Sequence, residues 1–424
     1  MSVAVAVAGC GGSGSSSSSS GSTSESTTTT AASKPSEGET ASGTPIPVGT
    51  ICTCGTTTSS TELATLFEVG KAWEEQVNAN GGINGHPVKL YTEEDEGNAS
   101  KGLEAAKKLI EEDHVIAIVS EASQVGEAWA PYVLEKGVPV VGGQGADVPE
   151  FTNPDFFPIG PSLPAVITAQ FHISKERGAT KMAINYCAEA AACQIIKGQA
   201  EKLVGLVPPM EVVTTAKISS TQPNYIATCL ANQEAGAESL WPGTASPTIE
   251  KLASDCEQQG FEPQFISNGP TSASSWLSAP QLEGMVIVDS HANYEDSSLP
   301  AIQEMNEALE QYAPEVIGSE EYSTNSLVPW VSGKLFEAAA EKADVGPEST
   351  PEEVKEGLYA LKGETLGGLT QPLTYEKGKA THLPCWFTVE ISEGSFKSLN
   401  GDKPQCLSPE ENEEAIERSG IQEE

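Results

Sequence analysis

The sequence predicts an α/β protein built on parallel sheet, and three observations carry that prediction. Two runs rich in β-branched residues, Val115–Val119 and Val138–Val141, flank an amphipathic helix that ends at Lys136-Gly137, which is the βαβ pattern of neighbouring parallel strands. Strand and helix periodicities keep alternating along the body of the chain. The 424 residues are 38% hydrophobic without an apolar run long enough to span a membrane, so the apolar content belongs to a globular body of two or three domains' worth of chain.

Taken in order, Pro47–Thr53 reads as the first strand and opens into a Thr/Ser-rich loop at 56–61. A helix over Glu62–Ala79 sets Leu63, Leu66, Phe67, Trp73 and Val77 near helical spacing and stops at Asn80-Gly81-Gly82, a C-terminal glycine signal. After a turn at Ile83–Pro87 come a strand at Val88–Thr92 and a helix at Ala99–Glu111 with Leu103, Ala106, Leu109 and Ile110 on one face. The strand Val115–Val119 leads into a small polar elbow, Ser120–Gln124, and Val138–Val141 leads into a second, Gly142–Asp147. Both elbows lie at the carboxyl ends of neighbouring parallel strands, where open α/β sheets keep their ligand crevices. Ser123 brings a hydroxyl there, the helix behind it brings N–H groups, and the glycines let a ligand approach the backbone; the alternative is a pair of ordinary strand-to-helix turns.

Phe156–Gly160 reads as a first crossing into a second lobe, which begins with a helix at Pro164–Gly178. Strands at Met182–Tyr186, Val212–Thr215, Ser239–Trp241 and Gln264–Ile266 follow, with helices at Tyr225–Ala235 and Pro247–Gly260. Met285–Asp289 carries the chain back, Leu299–Gly363 is mainly helical, and strands near Thr374, Phe387 and Phe396 make the last crossing. The acidic segment from Pro409 onward has few large apolar residues and reads as a solvated tail.

With 60 acidic against 23 basic residues the formal charge is −37, which argues against nucleic acid or an anionic surface as a partner. Arg177 and Arg418 are the only arginines, so forked recognition of phosphates or dicarboxylates is poorly supplied. The first ten residues, MSVAVAVAGC, are similar to a truncated signal peptide closing in a bacterial lipobox, Val7-Ala8-Gly9-Cys10, whose cysteine would be lipidated. Residues 11–46 are dominated by Gly, Ser, Thr, Ala and Glu and read as a disordered linker. As a random coil it would set the body about 30 to 35 Å from its anchor. The remaining eight of the nine cysteines are even in number, as in exported proteins. Spacing does not settle connectivity. Local pairing is expected for Cys187 with Cys193, Cys229 with Cys256 and Cys385 with Cys406, which leaves Cys52 and Cys54, whose bridge across one residue would be strained and easily reduced.

Several phrases, in this order and spacing, resemble a known family: NANGGINGHPVKL (Asn78–Leu90), AAKKLIEEDHVIAIVS (Ala105–Ser120), EKGVPVVG with the later PEF (Pro149–Phe151), ESLWPG (Glu238–Gly243), GFEPQFISNGP (Gly260–Pro270) and LEGMVIV (Leu282–Val288). The chain is similar to the bacterial branched-chain amino-acid-type (Leu/Ile/Val-binding) solute-binding proteins of ABC transporters, with the type I periplasmic-binding-protein fold, over roughly Pro47–Leu407. That resemblance implies an α/β fold of two doubly wound parallel-sheet lobes joined by three crossing strands, with a ligand cleft between them. The first lobe would comprise 47–158 and 290–382, the second 159–289 and 383–407, with 408–424 as an acidic tail.

The resemblance also implies where a ligand sits. A serine at the position of Ser123 and a threonine two residues past the second elbow hold the charged amino-acid group in the family, and Gln124, Gly145 and Ala146 adjoin them. The threonine position falls on Asp147, whose carboxylate would favour an ammonium and repel a carboxylate, unless it caps the turn at Val148-Pro149 and never faces the cleft. In the second lobe the two aromatic walls map to Ala191 and Ala245, and the acid that receives the ammonium maps to Thr271. Those losses would widen the pocket and remove a partner for a positive amine, so a standard Leu/Ile/Val specificity is not expected.

Catalytic signals are lacking: the sequence has no HExxH, GxSxG, GxxxxGK[ST] or post-strand GxGxxG, and its five histidines share no metal-ligand spacing with the cysteines. Neither cofactor nor metal is expected. The function expected is that of a lipid-anchored, monomeric receptor that captures an amino acid or a related amide or carboxylate and delivers it to a membrane permease. A ligand-sensing domain for a membrane signalling partner, and a surface thiol oxidoreductase using Cys52 and Cys54, are the alternatives.

Overall fold

The computed structural model describes residues 40–54, 63, 65–143, 145, 148–189, 191–319 and 322–421. Cys10, the linker up to residue 39, the loop at 56–61, Ala146, Asp147 and the side chain of Ala191 lie outside the described part. Strands β1 (Ile46–Cys52), β2 (Val88–Glu94), β3 (Ile118–Ala122), β4 (Val140–Val141) and β5 (Phe156–Phe157) form a parallel sheet in the order β2-β1-β3-β4-β5. Between them run helices α1 (Leu66–Ala79), α2 (Ala99–Lys107), α3 (Ala130–Lys136) and the short α4 (Pro149–Thr152). The interior strand β1, IPVGTIC, is buried along almost its whole length, as a parallel strand covered on both faces must be. One face packs Ile51, Ile118 and Val140 against Leu109, Trp129 and Val133 of the α2 and α3 layer. The other packs Val48, Val119 and Val141 against Trp73 of α1 and a later helical layer.

The second sheet repeats that winding. After α5 (Leu163–Glu176), strands β6 (Lys181–Cys187), β7 (Glu211–Ile218), β8 (Ser239–Gly243), β9 (Gln264–Asn268) and β10 (Val286–Asp289) pair in parallel in the order β7-β6-β8-β9-β10. Helices α6 (Ala191–Leu203), α7 (Ile226–Glu234) and α8 (Ser246–Gln258) connect them. The chain then builds α9 (Pro300–Tyr312), α10 (Leu327–Lys342) and α11 (Pro351–Ala360), of which α9 and α10 lie on α1, back at the first sheet. A separate ladder of β11 (Lys362–Glu364) with β12 (Leu373–Thr374) precedes β13 (Cys385–Ser392) and β14 (Ser395–Ser398), which extend the second sheet antiparallel beyond β10, and β15 (Gln405–Cys406) pairs with the start of β13. The strand near Thr374 thus belongs to a small hairpin, and only the later two join a lobe sheet.

The polypeptide passes between the sheets three times, and the three connections are bonded to each other. Ser162 N–H donates to the Leu383 carbonyl at 2.9 Å and Ala292 N–H to that of Leu369 at 3.0 Å. The Tyr375 hydroxyl donates to the Pro158 carbonyl at 2.8 Å, with its ring edge-on to Phe157. The apolar layer that includes Trp73 continues through this junction into the α7 and α8 face of the second sheet.

Two segments depart from the sequence expectation for identifiable reasons. Strand β3 runs three residues later than Val115–Val119, because Ser120 takes φ +68° while its carbonyl accepts the Thr50 hydroxyl, and pairing resumes at Glu121 and Ala122. The expected solvated tail is instead helix α12 (Pro409–Ser419), whose N-terminus is capped by the Ser408 side chain accepting from Glu411 N–H. It lies on α5 and α6 with Ala415 buried, His172 and Glu411 meet at 2.7 Å, and Gln199 and Lys202 donate to the Ser419 carbonyl. One small apolar stripe and satisfied ends suffice where charge content suggests fraying.

All four cysteine pairs, Cys52–Cys54, Cys187–Cys193, Cys229–Cys256 and Cys385–Cys406, are disulfide-bonded. Helices α10 and α11 approach closely at Gly357, where an added Cβ would stand 2.1 Å from the Ala339 carbonyl oxygen. Backbone cannot step aside as a side chain can, so Gly357→Ala is expected to destabilise by about 2 kcal/mol despite alanine's better helix propensity. A urea midpoint equal to or above that of the parent protein would contradict so tight a crossing.

Candidate functional site

Because the two sheets share one winding order, each reverses direction at a corresponding point, between β1 and β3 and between β6 and β8. Crevices of doubly wound sheets lie at such points. A cavity of about 590 Å³ occupies this region and takes its walls from both sheets. From the first come Gln124 to Ala128, after β3, and Gly145, after β4; from the second come Trp241 on β8, Asn268 at the end of β9, and Val288 and Ser290 at the end of β10. Helix α5 contributes Leu163, Val166 and Ile167, and α6 contributes Ile195 and Ile196. Ile195 is among the few large apolar side chains left exposed, at 46%, which is the expectation for a wall facing an unfilled space.

The sequence-predicted site residues fall into three groups. Gln124 and Gly145 line the cavity. Ser123 is buried in its own turn: its hydroxyl oxygen accepts from Val125 N–H and from the Trp129 indole, both at 3.1 Å, and its N–H donates to Glu121 at 2.7 Å. Ala245 is the exposed N-cap of α8 and Thr271 bonds Ser267 and the Asn268 carbonyl; neither lines the cavity, although Asn268 and Pro270 beside Thr271 do. Ala191 opens α6, about one turn before the cavity-lining isoleucines, and Ala146 and Asp147 are not described. Cys52 and Cys54 are bridged and almost buried.

The walls missed by sequence reasoning are mainly those of α5 and α6. The α5 sequence, LPAVITAQF, is apolar on every side and reads as core, yet its apolar residues face different things: Phe171 is fully buried in the core, while Leu163 and Val166 line the cavity. At the end of β6, burial pushes the Glu189 carboxyl up, but hydrogen bonds from Ser219 and Ser220 outweigh it and hold the group at about 2. That acid ties down the turn after β7.

At the lobe junction Asp289 ends β10 and accepts from the Thr324 hydroxyl at 2.8 Å and from Ser290 N–H at 2.7 Å. Asn325 donates to the Pro270 carbonyl at 3.1 Å and Ser326 meets Thr65 at 3.0 Å, so the turn before α10 holds both sheets. Burial raises the Asp289 carboxyl to about 6 and lowers His291 to about 4. No group of three or more potential metal ligands occurs among the described residues, and no described helix is long and apolar enough to cross a membrane.

A family model described as periplasmic binding protein matches residues 45–395. Among solved structures, the chain is similar to an ABC transporter substrate-binding protein of Aeropyrum pernix, at 18% identity and TM-score 0.73, covering 88% of this chain and 100% of that one. A fatty acid ABC transporter substrate-binding protein of Thermomonospora curvata matches at 15% identity and TM-score 0.69 over 89% and 96%. A solute-binding protein of R. palustris in complex with benzoate matches at 14% and 0.67 over 86% and 98%. At these identities the structures establish a shared fold. No curated protein matches.

Proposed function

Since this chain belongs to the periplasmic binding protein family, whose members are extracytoplasmic solute-binding proteins and not enzymes, we propose that it is a receptor that closes its two lobes over one small solute and hands it to an ABC transporter permease. The observation that supports this reading is the 590 Å³ cavity at the matching reversal points of two identically wound sheets, walled by both. A ligand touching both walls favours the closed state by the difference between its affinities for the two states, which gives the permease a shape to recognise. Its apolar walls suit a solute with a hydrocarbon or aromatic body, such as those of a fatty acid or of benzoate, for which two of the similar proteins are described. Cys10 would carry a lipid anchor and the segment after it would be its tether, ending before residue 46, because Ala41 and Ile46 already bond to the body and Ile46 opens β1, which corrects the 11–46 bound.

A screen of amino acids, short aliphatic and aromatic acids and their amides by calorimetry, with small-angle scattering on each hit, tests the receptor reading. Binding with a fall in radius of gyration is expected. Ile196→Trp should fill part of the cavity and weaken any ligand found by at least about tenfold while the far-ultraviolet circular dichroism stays the same. Undiminished affinity in that variant would move the site elsewhere.

A further inference from the structure

We infer that the solute taken by this cavity is uncharged, an apolar body bearing a carboxamide or a comparable donor–acceptor group, and not a carboxylate. The inference rests on the receptor reading of the same cavity. Strand-end turns of α/β proteins commonly hold anions through backbone N–H groups at the following turn. Here those donors are already occupied from within the protein. Ser123 N–H donates to Glu121 at 2.7 Å, Gly145 N–H to both oxygens of Glu150 at 3.0 and 2.9 Å, and Ser290 N–H to Asp289 at 2.7 Å. Gln124 and Val125 N–H go to the hydroxyls of Thr53 and Ser123. Three buried carboxyl groups therefore stand where an incoming carboxylate would need to sit.

Positive charge is also lacking. Glu127 is the one ionisable side chain among the described residues that line the cavity. The described stretches that supply walls, 120–130, 158–167, 191–196, 241–246 and 266–273, contain no lysine, arginine or histidine but do contain Glu121 and Glu127, and Lys101, two residues past the wall residue Ala99, pairs with Glu96. Lys197, on the helix of Ile195 and Ile196, pairs with Glu201 at 2.8 Å. His291, next to Ser290, is buried and held down to about 4, so it is neutral at physiological pH. A carboxylate entering here would lose hydration and find neither a cation nor an open N–H cluster among the described residues in return. Besides the Glu127 carboxylate, the polar groups the walls offer are the Gln124 and Asn268 carboxamides and the Ser290 hydroxyl, each able to donate and accept, and the Trp241 indole N–H, a buried donor without a hydrogen-bond partner. A neutral amide complements them.

The test is a matched-pair titration of the full-length protein at pH 7.5 with hexanamide against hexanoate and benzamide against benzoate. Each amide is expected to bind at least about tenfold more tightly than its acid, and Glu127→Lys is expected to narrow that ratio by improving the acid. Equal or tighter binding of the carboxylates overturns the charge assignment while leaving the receptor reading intact. Absence of binding by all four probes overturns the amide assignment, and the receptor reading falls with it only if the wider solute screen and the scattering are also blank.

Discussion

Replacing Cys229 and Cys256 together by alanine is expected to lower the free energy of unfolding by about 3.5 kcal/mol, because the bridge closes a loop of 27 residues in the unfolded chain. The two cysteines are fully buried and join α7 to α8 on one face of the second sheet. Alanine leaves no unsatisfied polar atom there, so the measured loss reports the covalent link more than a new burial penalty. The Cys187–Cys193 bridge closes only 6 residues, and on the same loop-closure argument its removal should cost about 2 kcal/mol. Urea titrations of both double variants give the comparison. Reductant should still weaken the first variant, because the Cys187–Cys193 and Cys385–Cys406 bridges remain in it. Since neither α7 nor α8 lines the cavity, solute affinity should not change. A loss below about 1 kcal/mol for the longer loop would mean that the unfolded chain is already restricted at this point.

Most of the architecture was readable because parallel strands buried on both faces leave short β-branched runs, and each helix between them carries one apolar stripe. The family phrases lie on that same framework, and the disulfides follow from cysteines placed at neighbouring elements. What could not be read was direction. Ser123 has the residue type and position of a ligand-binding hydroxyl, but whether it faces a cleft depends on Trp129, six residues on, whose indole donates back to it. The α5 residues Leu163 and Val166 are indistinguishable in sequence from the core residues beside them, since periodicity cannot tell a stripe facing a sheet from one facing an empty volume. The internal occupation of the elbow donors was invisible for a similar reason. Glu150 lies five residues past Gly145 in α4, and nothing in the string PEF says that its carboxyl turns back to take that N–H. Acidic residues thus carry structural duties in the very turns where sequence reasoning looked for ligand contacts.

Substituting Asp289 or His291 singly is expected to expose a pH dependence of stability of about 3 kcal/mol that the parent protein conceals. Asp289 is raised by burial from 3.8 to about 6, so its contribution to stability is fully present below 3.8 and is lost as pH climbs through about 6. His291 is lowered by burial from 6.5 to about 4; its contribution is present above 6.5 and is lost as pH falls through about 4. Each shift corresponds to about 3 kcal/mol at 1.36 kcal/mol per unit, and across pH 4 to 6 the two slopes have opposite sign and largely cancel. Asp289→Asn keeps an acceptor for the Thr324 hydroxyl and removes the titration, so stability should rise by about 3 kcal/mol between pH 4 and 6.5. His291→Gln should show the reverse, a fall of about 3 kcal/mol between pH 4 and 6. Denaturation midpoints collected at half-unit steps distinguish these outcomes, and two parallel curves for the variants would refute the compensation. Asp289 joins the end of β10 to the turn that also grips Pro270 and Thr65, so the pair sits at the junction of the two sheets.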